Sequence, residues 1–273
     1  LFSKDKQDVY LDDSLLEEGS ECLYENQFVM LVCESDPKKT ALTFFKSYSE
    51  PLREIVGYKN GVWGVQARNK EQKFALDMLM NPEIPLVSVI GKAGSGKSLI
   101  SLAAGLEQVM GAEARYKRLI VSRPVQPMGK DIGFLPGDMN EKMIPWLMPI
   151  QDNLQFLMGD DRSTLEMYIE KGTIEIEALT YIRGRSISNA FIIIDECQNL
   201  SAHEIKTIIT RVGENTKIVF TGDIEQIDNV YVDATTNGLS YVVEKMKDQE
   251  ISGHITLKKG ERSKVATIAA AIL

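Results

Sequence analysis

The stretch Gly91-Lys92-Ala93-Gly94-Ser95-Gly96-Lys97-Ser98 has the spacing of a P-loop: a glycine, four residues, then Gly-Lys-Ser. Glycines let successive backbone N–H groups turn toward one anion, and a following helix adds its positive end. In such a cradle Lys97 reaches the β- and γ-phosphates of a nucleotide and Ser98 holds Mg²⁺. Asp195-Glu196 follows the apolar run Phe191-Ile192-Ile193-Ile194. A buried strand there delivers the Asp195 carboxylate to the magnesium shell opposite Ser98, and Glu196 to a place where it polarises the attacking water. Gln226 lies just beyond Thr221-Gly222-Asp223. An amide both donates and accepts, so Gln226 can sense a γ-phosphate and orient water.

Phosphoryl transfer also needs a cation on the developing charge. Arg262, in Lys258-Lys259-Gly260-Glu261-Arg262-Ser263, is the first candidate, serving its own site or a neighbour's, and Arg123 is the second. Gln72, upstream of the P-loop, is placed to meet an adenine edge. An Asp-Glu pair with Gln226 fits a hydrolase better than a kinase, which usually carries an Arg-rich lid. A nucleotide-driven switch that moves no polymer is the other alternative.

The elements that must position these groups are legible in the periodicity. Leu86-Val87-Ser88-Val89-Ile90 and Lys217-Ile218-Val219-Phe220 read as buried parallel strands, as do Leu119-Ile120-Val121 and the run before Asp195. Thr173 to Ala178 alternates as a strand, and Ile255-Thr256-Leu257 forms a last short one. Between them, Leu99, Leu102, Ala103, Leu106 and Met110 recur at helical spacing. Glu71 to Met80 reads as a helix capped by Asn69, and Ser201 to Glu204 as a capping box ahead of Ile205, Ile208, Ile209 and Val212. Ile150 to Met158 forms a helix with Pro149 in its first turn. Ser263 caps a final helix with Val265, Ile268, Ala269 and Ile272 inside. Strand–helix alternation from Asn69 onward implies a parallel α/β sheet, whose ligands bind beyond the carboxyl ends of its strands. P-loop, Asp195-Glu196 and Gly222-Asp223 all fall at such ends.

Residues 1–69 differ. Phe28 to Val32 is a strand candidate, Pro37-Lys38-Lys39 a turn, and Gly57 to Gln66 a hairpin. A small β-rich subdomain with no recognisable chemistry is expected there, ahead of the nucleotide-binding domain at 70–273. The 273 residues carry a net charge of −8, so the chain is no globally basic nucleic-acid binder, and any such contact needs a local patch. The basic turn Arg183-Gly184-Arg185-Ser186 is either a solvated turn or a phosphate or RNA contact. Three scattered cysteines and two isolated histidines argue against zinc and fit a reducing cytoplasm. No run approaches the roughly 18 apolar residues of a membrane span. Leu1 stands first instead of Met, as expected of a piece of something longer.

From Asn69 to Leu273 the motifs resemble the PhoH family of P-loop ATPases, which is related to superfamily 1 helicases. The shared elements are Asn69-Lys70-Glu71-Gln72, Gly91 to Ser98, Ser122-Arg123-Pro124-Val125 and Gly133-Phe134-Leu135-Pro136-Gly137-Asp138. Arg183-Gly184-Arg185, Asp195-Glu196-Cys197-Gln198-Asn199, Thr221-Gly222-Asp223 with Gln226-Ile227-Asp228, and Lys259-Gly260-Glu261-Arg262-Ser263 complete them. Cys197 departs from the usual alanine but is small. The last motif looks most like PhoH proteins that carry an N-terminal PIN nuclease domain, and residues 1–69 are similar to the segment joining the two parts. The resemblance implies a RecA-like ATPase lobe with a parallel sheet flanked by helices, ATP and Mg²⁺ as ligands, RNA as polymer substrate, and a hexameric ring. Lys130, Arg183 and Arg185 are the RNA-contact candidates. One lobe alone would borrow its second face, and Arg262, from a neighbouring subunit.

Overall fold

The continuous apolar runs lie side by side in one sheet. The computed structural model describes residues 8–11, 23–55, 57–124, 139–159, 161–182 and 186–260. The described chain begins with β1 (Gln27–Cys33), β2 (Asp36–Phe45) and β3 (Arg53–Glu54). Then come α1 (Lys70–Met80), β4 (Leu86–Gly91), α2 (Lys97–Met110), β5 (Arg118–Arg123), α3 (Met139–Leu157) and α4 (Arg162–Glu170). β6 (Ile174–Ala178), α5 (Leu179–Ile182), β7 (Ala190–Ile194), a short 3₁₀ turn (Cys197–Asn199) and α6 (Ala202–Ile209) follow. β8 (Lys217–Gly222), α7 (Gly238–Met246) and β9 (Ser252–Leu257) come last.

The order across the large sheet is β6-β5-β7-β8-β4-β9, and every pairing is parallel. Helices on both faces explain the unbroken apolar runs. Phe191 and Ile193 enter one core with Val87, Val89, Leu102 and Leu106, while Ile192 and Ile194 enter the other with Phe220, Ile205 and Leu239. A strand buried on both faces has no polar side to show. The register brings Val89 beside Thr221 and Ser122 beside Ile194, so the carboxyl ends of β4, β5, β7 and β8 finish level with one another.

The small sheet, antiparallel in the order β1-β2-β3, packs on α1. Phe28 stacks on Phe74 of α1 at 4.5 Å, and Phe44, Ile55 and Val62 join the same buried cluster as Phe74. Asn26 Nδ2 donates to the carbonyls of Glu250 (2.7 Å) and Ser252 (2.9 Å), tying the start of β1 to the start of β9.

Several local expectations are corrected. Pro37-Lys38-Lys39 is not the turn but part of β2; the turn falls at Glu34-Ser35. The ladder shifts between Val32, which faces Thr40, and Cys33, which faces Asp36, so Pro37 sits in the irregularity, where its missing N–H costs no ladder bond. The hairpin expected over Gly57 to Gln66 is one residue pair, Val62–Val65, closed by Trp63 and Gly64 with φ of 47° and 75°. Trp63 is held elsewhere: its N–H donates to Glu107 Oε2 and its indole Nε1 to the Leu157 carbonyl. The helix expected from Ile150 begins at Met139 and runs through Pro145 and Pro149. An interior proline costs a helix about 3 kcal/mol, and burial of Ile150 and Leu154 opposes that cost. α4 and α7 were not anticipated. α7 is capped by Asn237, whose side chain accepts from the Ser240 N–H, and a Cβ on Gly238 would lie 2.5 Å from Ile205 Cγ1. The final helix after Ser263, the Gly133–Asp138 motif and the Arg183–Arg185 turn lie outside the described residues.

Candidate nucleotide-binding site

The P-loop connects β4 to α2, and its glycines are required by geometry. A Cβ on Gly91 would lie 2.5 Å from Ser95 Oγ and 3.0 Å from Leu257 Cβ. Gly94 and Gly96 have φ of +79° and +89°, the left-handed region in which side chains are strained. Alternating glycines of this kind turn the loop's N–H groups inward as an anion nest. Lys97 is the first residue of α2 and is 6% exposed. Ser95 Oγ is buried and has no hydrogen-bond partner among the described residues. Lys92 points outward into an ion pair with Glu225 at 2.9 Å, which raises the lysine's pKa.

Gln72 braces the loop. Its Nε2 donates to the Ser95 carbonyl at 2.9 Å and its Oε1 accepts from the Arg68 N–H at 2.8 Å. The side chain is 5% exposed and joins the start of α1 to the P-loop, while Asn69 caps the same helix on the Gln72 N–H.

Opposite the loop, Ser98 Oγ donates to Asp195 Oδ1 at 3.0 Å. Thr221 Oγ1, from the adjacent strand β8, donates to the same carboxylate oxygen. Asp195 is 6% exposed, and its own N–H continues the ladder to the Ser122 carbonyl at 2.8 Å. The next residue, Glu196, has φ of +55°, so the chain turns sharply as it leaves the strand. That turn keeps Glu196 on the rim with Asp195 instead of on the opposite face, where strand alternation would send it. Its carboxylate lies 3.7 Å from Arg123 and 2.6 Å from Gln198 Nε2. Cys197 is buried, its Sγ donating to the Ile194 carbonyl, and burial with the nearby Asp195 and Glu196 charges pushes its thiol pKa well up.

The structure therefore gathers Gly91 to Ser98, Arg123, Asp195 and Glu196 at one rim. Gln226 lies on the same rim with an exposed side chain; its backbone N–H donates to the Asp223 carbonyl and its carbonyl accepts from Gln198. Arg262, Lys130, Arg183 and Arg185 lie outside the described residues. Four residues without an individual expectation belong to the rim: Thr221, Gln198, Asn199 and Asp223. Asp223 Oδ2 accepts the Ala93 N–H at 2.8 Å, and Asn199 Oδ1 accepts from the N–H groups of Asp228 and Asn229. Their signal in the sequence was a run of polar residues directly after each buried strand. Among the described residues no group of three or more His, Cys, Asp or Glu could hold a metal, and no helix is long and apolar enough to cross a membrane.

Comparison with known proteins decides the lineage of this arrangement. Residues 64–272 match the family described as PhoH-like protein. The chain belongs to the PhoH family. It is 49% identical over 252 residues to Protein PhoH2 of Bacillus subtilis, covering 92% of this chain and 57% of that protein. It is 35% identical over 195 residues to Protein PhoH of Escherichia coli, covering 71% of this chain and 53% of that one. The chain thus spans about half the length of the curated PhoH relatives it matches. A distant likeness reaches the Pif1 helicase of Candida albicans, at 16% identity and a TM-score of 0.37, covering 76% of this chain and 43% of that one.

Proposed function

We propose that this PhoH-like chain is a Mg²⁺-dependent ATP hydrolase that couples turnover to binding or unwinding of single-stranded RNA within an oligomeric ring. The observation that carries the hydrolase reading is the Ser98–Asp195 pair at 3.0 Å, one residue from Lys97 and one residue from Glu196. The fit to nucleotide and metal rests on this chain's own atoms. The close approach at Gly91, the left-handed glycines and the unpartnered Ser95 hydroxyl suit a phosphate cradle. A hydroxyl and a single buried carboxylate suit Mg²⁺, which keeps several waters and takes phosphate oxygens as its other ligands.

In that reading the loop N–H groups and Lys97 bind the β- and γ-phosphates. Ser98 and Asp195 hold Mg²⁺, which when bound neutralises charge on the phosphate oxygens. Thr221 fixes the Asp195 carboxylate from the far side. Glu196 accepts a proton from the attacking water, and Gln226 contacts the γ-phosphate. Gln72 retains one N–H and one carbonyl lone pair beyond its two protein bonds, and these meet the adenine edge. Arg123 or a neighbour's Arg262 supplies the transition-state cation. Residues 1–69 form an appendage to the 70–273 domain, and Lys130, Arg183 and Arg185 contact the RNA.

The test combines two variants with one titration. Lys97→Ala should abolish ATP turnover, and Glu196→Gln should keep ATP binding while slowing hydrolysis by orders of magnitude. Single-stranded RNA should stimulate the wild type in a salt-dependent way. Unchanged turnover in either variant refutes the hydrolase; hydrolysis indifferent to RNA leaves a nucleotide switch in its place.

A further inference from the structure

The side-chain amide of Gln198 stands where three parts of the site meet. It is fully buried. Its Nε2 donates to Glu196 Oε2 at 2.6 Å and to the Gln226 carbonyl at 2.9 Å, and its Oε1 accepts the Asp223 N–H at 3.1 Å. Both amide hydrogens are therefore used. Two acceptors on the nitrogen side and a donor on the oxygen side fix which way the amide points, because a flip would set its oxygen against the Glu196 carboxylate. Asp223 in turn accepts the P-loop N–H of Ala93.

There is no slack around this amide. A Cβ on Gly222 would lie 2.4 Å from Gln198 Oε1 and 2.6 Å from Leu239 Cδ2, so the β8 backbone presses directly on it. Glu196 itself leaves its strand with φ of +55°, and among the described residues Gln198 and Arg123 anchor its long side chain. A glutamate so exposed to rotation needs a partner to hold one aim.

We infer that Gln198 is a positioning residue that aims Glu196 at the attacking water and makes that aim depend on the turn from Asp223 to Gln226. This rests on the hydrolase reading above. A shift of the turn toward a γ-phosphate moves Asp223 N–H and the Gln226 carbonyl, and the amide they grip carries Glu196 with it. Turnover is thereby matched to the nucleotide in the cradle, through three hydrogen bonds and one side chain.

The experiment uses two near-isosteric variants of the full chain. Gln198→Glu keeps an acceptor for the Asp223 N–H and removes the donor to Glu196; Gln198→Met keeps the volume and removes both. A misplacement on the order of 1 Å costs about 100-fold in rate, so each should lower kcat about 100-fold while the dissociation constant of a fluorescent ATP analogue stays near wild type. In a Glu196→Gln background, Gln198→Met should cost no further turnover in single-turnover assays, since it acts through the group already removed. Additive losses, or weaker nucleotide binding with kcat unchanged, overturn the inference. Hydrogen exchange on the wild type needs no variant to fold: replacing ADP by a non-hydrolysable ATP analogue should change protection at 223–226 and 196–199 together, and a change in one segment alone overturns it. Full turnover in Gln198→Glu with none in Lys97→Ala defeats only the positioning role; full turnover in Lys97→Ala defeats the hydrolase reading beneath it.

Discussion

Lys217 offers a prediction whose sign and size follow from the structure. It opens β8, the strand that ends at Thr221 and Gly222, and its side chain is fully buried. Its Nζ donates to the carbonyls of Asn81 (2.6 Å) and Met78 (3.2 Å), at the carboxyl end of α1. Burial, helped by the charge of Arg115, pulls its pKa from 10.5 down to about 7. The helix-end carbonyls favour the ammonium, yet burial prevails. Between pH 7 and 10.5 the unfolded chain holds this proton and the folded chain releases it, so stability rises with pH in that window. From pH 7 to 9.5 the rise is about 3 kcal/mol at 1.36 kcal/mol per unit, allowing for half-titration of the folded group at pH 7. Urea unfolding of the wild type and of Lys217→Met at both pH values isolates it, because Cys197 and Tyr58, both shifted up, titrate alike in the two proteins. The variant should lack the rise. Parallel curves, with the same pH dependence in both proteins, would refute the buried-lysine argument.

Thr221→Val removes the hydroxyl that holds Asp195 Oδ1 and leaves a buried carboxylate short of a donor, at a cost of roughly 1–3 kcal/mol. Urea unfolding of Thr221→Val should read that loss directly, and a midpoint equal to wild type would refute the hold on Asp195. Gly96→Ala places a side chain at φ of +89° and 3.1 Å from Gln72 Nε2, so nucleotide affinity measured by calorimetry should fall along with roughly 1–2 kcal/mol of stability. Asn26→Leu cuts both bonds to the start of β9 and leaves two carbonyls without a partner. Hydrogen exchange in β1 and at the amino end of β9 should quicken together, with about 1–3 kcal/mol lost in global stability.

The site was legible where one residue type admits one geometry. Glycines at 91, 94 and 96, a lysine and serine opening a helix, and a carboxylate after four apolar residues left little freedom, and the sheet placed them accordingly. Gln198 and Asp223 were harder to see, because their roles depend on partners 25 to 130 residues away and on which way an amide points. The misread local structure has a common cause. Proline's local prohibitions suggest a turn at Pro37 and a helix start at Pro149, whereas an irregular ladder and a buried helix face decide the outcome. α7 was missed because its start depends on Asn237 and on Gly238 lying against Ile205, a contact between segments that no window of local periodicity contains.

The packing of the small sheet bears on how this P-loop core could be moved between proteins. The stretch that matches the family begins at residue 64, yet Phe28, Phe44 and Ile55 cover Phe74 of α1, and Asn26 grips the strand beside the P-loop strand. A transplant cut at residue 64 would carry the complete phosphate cradle into its new host with an apolar wound on the helix that braces it. The transferable module is accordingly larger than the family boundary: it includes β1, β2 and β3, and shuffling that respects the small sheet should preserve solubility where shuffling at the motif edge would not.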